Sequence, residues 1–230
     1  MQHVATHLKK NICILFLGLI MSCNSNRKLE GTWIGAYSYS ENVDSSMSLP
    51  LRTLVTFEND KYFAKNFKYD YRSERDYEKG TYKFKWNKIF HNSDNEFTYE
   101  VAIINTDSLV LKGNNGSNNA VLKKLNDSLK NQSKNVKLVG KRFLSKSVKN
   151  TDLNKVAYDT LSFVNDSILI KKSDKTRNPG TRWERFKQNG FDIIFMEMEI
   201  PLIIRNKDKN KIYLTGFHKK RYEIELTELK

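Results

Sequence analysis

The chain has 230 residues, a formal net charge of +14, 12 % aromatic residues and three prolines. That length suits one large β domain or two small ones, and so few prolines give no rigid stalk. The only cysteines are Cys13 and Cys23, so a disulfide-dense scaffold is excluded and stability must come from a packed core.

The first two dozen residues follow the order of an export signal. Lys9 and Lys10 precede an apolar run from Ile12 to Met21, broken only by Gly18. The run is shorter than the roughly 20 apolar residues of a permanent membrane helix. Ile20-Met21-Ser22-Cys23 follows. It resembles the bacterial lipobox, with an aliphatic residue at −3 and a small one at −1 before a cysteine. The resemblance implies cleavage between Ser22 and Cys23, with acyl chains on the Cys23 thiol and on the new amine. One acyl chain holds a membrane only marginally, at about 0.8 kcal/mol per buried CH₂, so several are needed. Asn24-Ser25-Asn26 brings no aspartate next to the cysteine and no acidic cluster. The expected location is therefore the periplasmic face of the outer membrane, with surface exposure left open.

Without the leader the net charge is +12, unevenly spread. Residues 29–125 hold 13 basic and 13 acidic side chains, whereas residues 138–230 hold 20 and 12. The second half could face an anionic envelope glycan or lipid, or simply carry a solvated lysine-rich surface.

The apolar periodicity is two. Tyr82, Phe84 and Trp86 alternate with lysines, and Phe97, Tyr99, Val101 and Ile103 fall on one face. Met196, Met198 and Ile200 alternate with Glu197 and Glu199, as Tyr222, Ile224 and Leu226 do with Glu223 and Glu225. Such stretches, separated by Asn, Asp and Gly, predict antiparallel meanders.

A repeat of about 105 residues runs through the chain. Leu29 to Ile34 answers to Leu138 to Phe143, and Val55 to Phe63 answers to Leu161 to Leu169. Asp107 to Leu111 answers to Asn210 to Leu214. Asn59-Asp60 and Asn165-Asp166 suit hairpin turns, because both residue types tolerate φ > 0. Polar Asn126 to Lys137 reads as a linker open to protease, and residues 23–28 as a tether. The division is thus a leader over 1–22, a β domain over 29–125 and a divergent second over 138–230.

Gly31-Thr32-Trp33, Phe57 to Tyr62, Gly80-Thr81-Tyr82 and the strand pair Tyr99 to Ile104 with Ser108 to Leu111 resemble the lipocalin-like domains of bacterial lipoproteins. The second half departs from the pattern, with Arg142 in the tryptophan's place and Gly180-Thr181-Arg182-Trp183 as an approximate echo. The resemblance implies two tandem antiparallel meander barrels, Trp33 plugging a closed end, and interiors that are filled or hold one small ligand.

No catalytic motif, cofactor fingerprint or metal-ligand spacing appears. His91 and His218 lie in polar contexts that suggest exposed loops or strand ends. Glu197/Glu199 and Glu223/Glu225 each put two carboxylates on one strand face, about 7 Å apart, within reach of inverting glycosidase geometry. The plainer reading is a wet strand face. Nucleic-acid binding through the Lys83 to Trp86 stretch is set aside, because its aromatics alternate inward. The expected function is a non-enzymatic binding or scaffolding lipoprotein for a small apolar or amphipathic ligand or an envelope partner. A weakly marked carboxylate hydrolase, or an anionic-glycan or lipid binder, are the alternatives.

Overall fold

The alternating stretches form strands throughout, in a computed structural model that describes residues 28–40, 48–67, 77–92, 96, 98–113, 118–148, 156–173, 180–197 and 199–230. Ser22, Cys23, Phe97 and Met198 lie outside the described residues. The first half comprises β1 (Gly31–Ser40), β2 (Leu49–Pro50), β3 (Thr53–Glu58), β4 (Lys61–Asn66), β5 (Tyr77–Lys85), β6 (Lys88–His91), β7 (Tyr99–Ile104), β8 (Ser108–Gly113) and β9 (Asn118–Lys124). Successive strands pair antiparallel, and β9 returns to β1 to close the barrel. The two-residue β2 continues the β3 edge along the far end of β1. The second half comprises β10 (Lys141–Val148), β11 (Val156–Phe163), β12 (Ile168–Ser173), β13 (Thr181–Gln188), β14 (Phe191–Met196), β15 (Leu202–Asp208), β16 (Lys211–Phe217) and β17 (Arg221–Leu229). These eight strands form a second closed meander barrel.

The repeat extends to pairing register. Phe57 stands opposite Gly31 and Phe163 opposite Lys141. Trp33 therefore corresponds to Phe143, and Arg142, expected in the tryptophan's place, is an exposed outward residue. The turn ahead of β10 is one residue longer, which shifts the match. Trp33 and Phe143 are both fully buried. Each barrel also carries a bulge between its sixth and seventh strands, at Ala102 and at Arg205. An edge-on aromatic pair recurs as well, Phe57 with Tyr82 at 4.9 Å and Phe163 with Trp183 at 4.6 Å.

Three expectations change. The Ala102 bulge breaks the period of two, so Val101 is buried while Ile103 is 53 % exposed. Trp86 is not on the buried face: it occupies the β5–β6 turn and is 78 % exposed. Asn59 and Asp60 do take positive φ in a two-residue hairpin. Asn165 works differently, its Oδ1 accepting from the backbone N–H groups of Ser167 and Ile168.

The barrels share a core at their seam. Ile34, Leu54 and Leu125 pack with Phe191, Ile193, Phe195 and Ile203. Phe63 stacks on Phe186 at 5.9 Å and Phe67 on Phe195 at 6.1 Å. β14 is consequently buried on both faces, one lining its own barrel and the other the seam. Phe63 and Phe186 lie toward the end where the chain enters each barrel, at residues 28 and 138, and Phe67 and Phe195 toward the opposite end. The barrels therefore stand side by side with the same polarity. "Lower" denotes the end where residue 28 enters, and "upper" the other.

Residues 126–137 are not the open linker anticipated. A short 3-10 helix, Asp127–Leu129, is capped by Asn126. The Asn131 N–H donates to Gly190 O at 2.7 Å, Val136 is buried, and Arg185 donates to Val136 O at 2.8 Å. Arg185 is held in turn by both carboxylate oxygens of Asp192. A polar sequence here covers the lower end of the second barrel with its backbone rather than trailing in water.

Candidate ligand-binding site

The lower end of the first barrel is plugged. The Trp33 indole N–H donates to Leu29 O at 2.7 Å, and both residues are fully buried. Above them lie Phe57, Tyr82, Phe84, Ile89, Val101, Leu111 and Leu122. Burial pushes the Tyr82 phenol up to about 12, helped by Glu30 and Asp60. Its hydroxyl is buried without a hydrogen-bond partner, unlike the other buried side-chain polar atoms among the described residues.

Over this apolar floor, the inward positions of β4, β5, β6 and β7 turn polar and aromatic. His91 stacks on Tyr62 at 4.1 Å and meets Tyr99 edge-on at 5.8 Å. The Tyr62 hydroxyl donates to Glu78, and His91 Nδ1 lies 4.0 Å from Glu78 Oε1. Burial and the Glu78 carboxylate both hold the Tyr62 phenol well above its ordinary value, and they raise Tyr99 as well. Beside them is an open depression of about 590 Å³ lined by Lys61, Tyr62, Lys79, Gly80, Thr81 and Asn92. Gly80 lets Asn92 approach there: a Cβ would lie 2.0 Å from Asn92 Oδ1 and displace that side chain.

His91, expected at an exposed loop or strand end, does end β6, but it is a packed member of an inward cluster with a side chain 12 % exposed. Its strand alternation with Ile89 held the signal, but a polar flank masked it. His218 is also packed, against Tyr37 at 5.2 Å and 3.3 Å from Ser48 Oγ.

Pairing register places Ala64 of the first barrel at the level of Lys171 in the second, and Ala120 at the level of Ile224. All four point inward. Lys171 spans the upper end of the second barrel, 2.8 Å from Glu199 and 3.5 Å from Asp159. These carboxylates hold its ammonium pKa up despite partial burial. The second barrel is therefore crossed by a charged bar above a core of Phe143, Phe163, Trp183, Ile194, Leu202 and Leu214. The first has two alanines at the matching level, with Tyr62, Glu78, His91 and Tyr99 at inward positions of β4 to β7.

Of the two carboxylate pairs, Glu223/Glu225 lies on one strand face as expected, and Glu197/Glu199 does not. β14 ends at Met196, so Glu197 and Glu199 are not on a strand face. Glu197 accepts from the Arg182 N–H, and Glu199 binds Lys171. On β17, Glu223 binds Arg205, Arg221 and Thr215, and Glu225 binds Lys211. Each is engaged by a neighbouring donor. The basic runs of the second half are divided between its two ends: residues 207–211 lie at the lower end, Lys172 and residues 219–221 at the upper. Among the described residues there is no group of three or more potential metal ligands, and no helix is long and apolar enough to cross a membrane. Comparison with protein-family models, curated proteins and solved structures returns no match for the chain.

Proposed function

We propose that the chain is a non-enzymatic, lipid-anchored envelope lipoprotein whose first barrel binds a small amphipathic ligand. The apolar part lies on the floor of Phe84, Val101 and Leu111, and the polar head meets Tyr62, Glu78, His91 and Tyr99. The observation that carries this reading is the pairing of Ala64 and Ala120 with Lys171 and Ile224 at the same level of the other barrel. A duplicated framework is filled and barred in one copy and left smaller-lined in the other. A pocket with an apolar floor and a few convergent polar groups is the usual form of a small-molecule site. The second barrel then serves as a rigid buttress through the seam.

The anchoring half of the proposal rests on Ile20 to Cys23. Labelled palmitate should enter the chain and be lost with Cys23→Ala, which should also leave the precursor uncut. Incorporation that survives Cys23→Ala would refute it. The binding half is tested by displacement of a fluorescent fatty-acid analogue from the purified chain. Ala64→Lys, which copies the bar of the second barrel, should abolish binding, while Lys171→Ala should leave it unchanged. Binding indifferent to Ala64→Lys would refute the assignment to the first barrel.

A further inference from the structure

We infer that the lower end of the barrel pair is a membrane-docking face, with Trp86 and Ile103 entering the surface of an anionic phospholipid bilayer. Its orientation rests on the tether reading above, but its chemistry does not.

Trp86 is 78 % exposed at a two-residue hairpin tip, with φ +53°. A bulky side chain in the left-handed region is strained, because its Cβ crowds the following carbonyl oxygen. The corresponding β13–β14 turn uses Asn189-Gly190, residues that take that conformation readily. The first barrel therefore keeps a costly residue where a cheap one serves its sister. Lys85 Nζ lies over the exposed ring at 3.9 Å, which joins a cation to the aromatic face. Tryptophan flanked by lysine is the pairing that favours the headgroup layer, where an apolar body and polar tips are both satisfied.

Nearby groups point the same way. The Val101 N–H donates to Asn87 O at 2.7 Å, so β7 runs on past the Trp86 turn to exposed Ile103. Because the barrels share polarity, the lower end of the second barrel presents Val139 and Val164, 52 % and 51 % exposed, on the same side. The segments at this end (28–30, 58–61, 85–88, 104–108, 124–141, 163–168, 187–191, 207–211 and 228–230) carry 14 lysines against eight acidic side chains. That excess suits an anionic surface. Residue 28 enters here, and Cys23 is five residues upstream. A lipid on Cys23 therefore holds the bilayer within about 17 Å of this rim.

Brominated lipid reports this contact, since Trp33 and Trp183 are buried inside the barrels and act as unresponsive internal references. The acylated mature chain, beginning at Cys23, and the same mature chain produced without acylation are each mixed with vesicles of brominated phosphatidylglycerol, and with brominated phosphatidylcholine. Docking predicts quenching and a blue shift of one emission component with phosphatidylglycerol at low salt. Both should be lost in Trp86→Phe and reduced for the unacylated chain at high salt. Trp86→Asn, whose side chain suits the turn, should weaken vesicle affinity of the unacylated chain several-fold without unfolding. Quenching that is absent, or that persists unchanged in Trp86→Phe, overturns the docking face. Flotation of the acylated chain at high salt, lost in the unacylated one, reads the tether separately. A chain that floats with Trp86 unquenched leaves the tether standing and removes the docking face. A chain that does not float but is quenched at low salt does the reverse.

Discussion

Lys65 Nζ lies 2.8 Å from Glu184 Oε1 across the seam between the barrels, with the lysine side chain 7 % exposed and the glutamate 27 %. Removing one partner from a buried pair costs about 3–5 kcal/mol, whereas replacing both with apolar groups is often neutral. The partial hydration of Glu184 puts this pair at the lower end of that range. Glu184→Leu, which leaves the more buried lysine without this carboxylate, should destabilise by about 3 kcal/mol, and Lys65→Met by less. The double variant should recover most of the loss. A urea-denaturation cycle checks this, and additive losses would show that the pair is not coupled.

The 126–137 segment should resist protease although it contains Lys130, Lys134 and Lys137. Its backbone is held by Gly190 and by Arg185. Arg185→Ala releases Val136 O and leaves Asp192 without its bidentate partner, so trypsin should then separate the two halves well ahead of the wild type. Rapid scission of the wild type at this segment would contradict the packed linker.

His218 makes stability at the upper seam depend on pH. Burial, and then the Lys219 charge, hold its pKa below 6.5. The unfolded chain therefore binds the proton first as pH falls. The contribution of neutral His218 is fully present above about pH 6.5 and is lost as pH drops through the folded-state value. His218→Gln, still facing Tyr37 and Ser48, should flatten the stability–pH curve over that window. An unchanged curve would remove His218 as its source.

Trp86→Asn should raise stability by about 1 kcal/mol, because asparagine takes positive φ at low cost. Thermal denaturation of the two chains compares them directly. A loss of stability would mean that the indole does structural work at the turn that its exposure does not reveal.

The meander was legible in the sequence because each strand buries one face. Tyr82 with Phe84, and Tyr222 with Ile224 and Leu226, alternate as a half-buried strand must. The errors fall where that rule is interrupted. A bulge at Ala102 exposes Ile103, and β5 ends at Lys85, so that Trp86 falls in the turn. An extra turn residue before β10 displaces the match of Trp33 from Arg142 to Phe143. The candidate site was not legible, because Tyr62, Glu78, His91 and Tyr99 come from four strands and only the barrel brings their side chains together. The seam was equally hidden: nothing in the Phe191–Met196 run distinguishes burial against a second barrel from burial in one.

Amide chemical-shift mapping of the full chain titrated with laurate tests the binding assignment most directly. The account predicts saturable shifts at Ala64, Glu78, His91, Tyr99 and Ala120, with the second-barrel positions Asp159, Lys171 and Tyr222 unmoved. Shifts confined to the second barrel, or an unperturbed ring around His91 at saturating laurate, would contradict it.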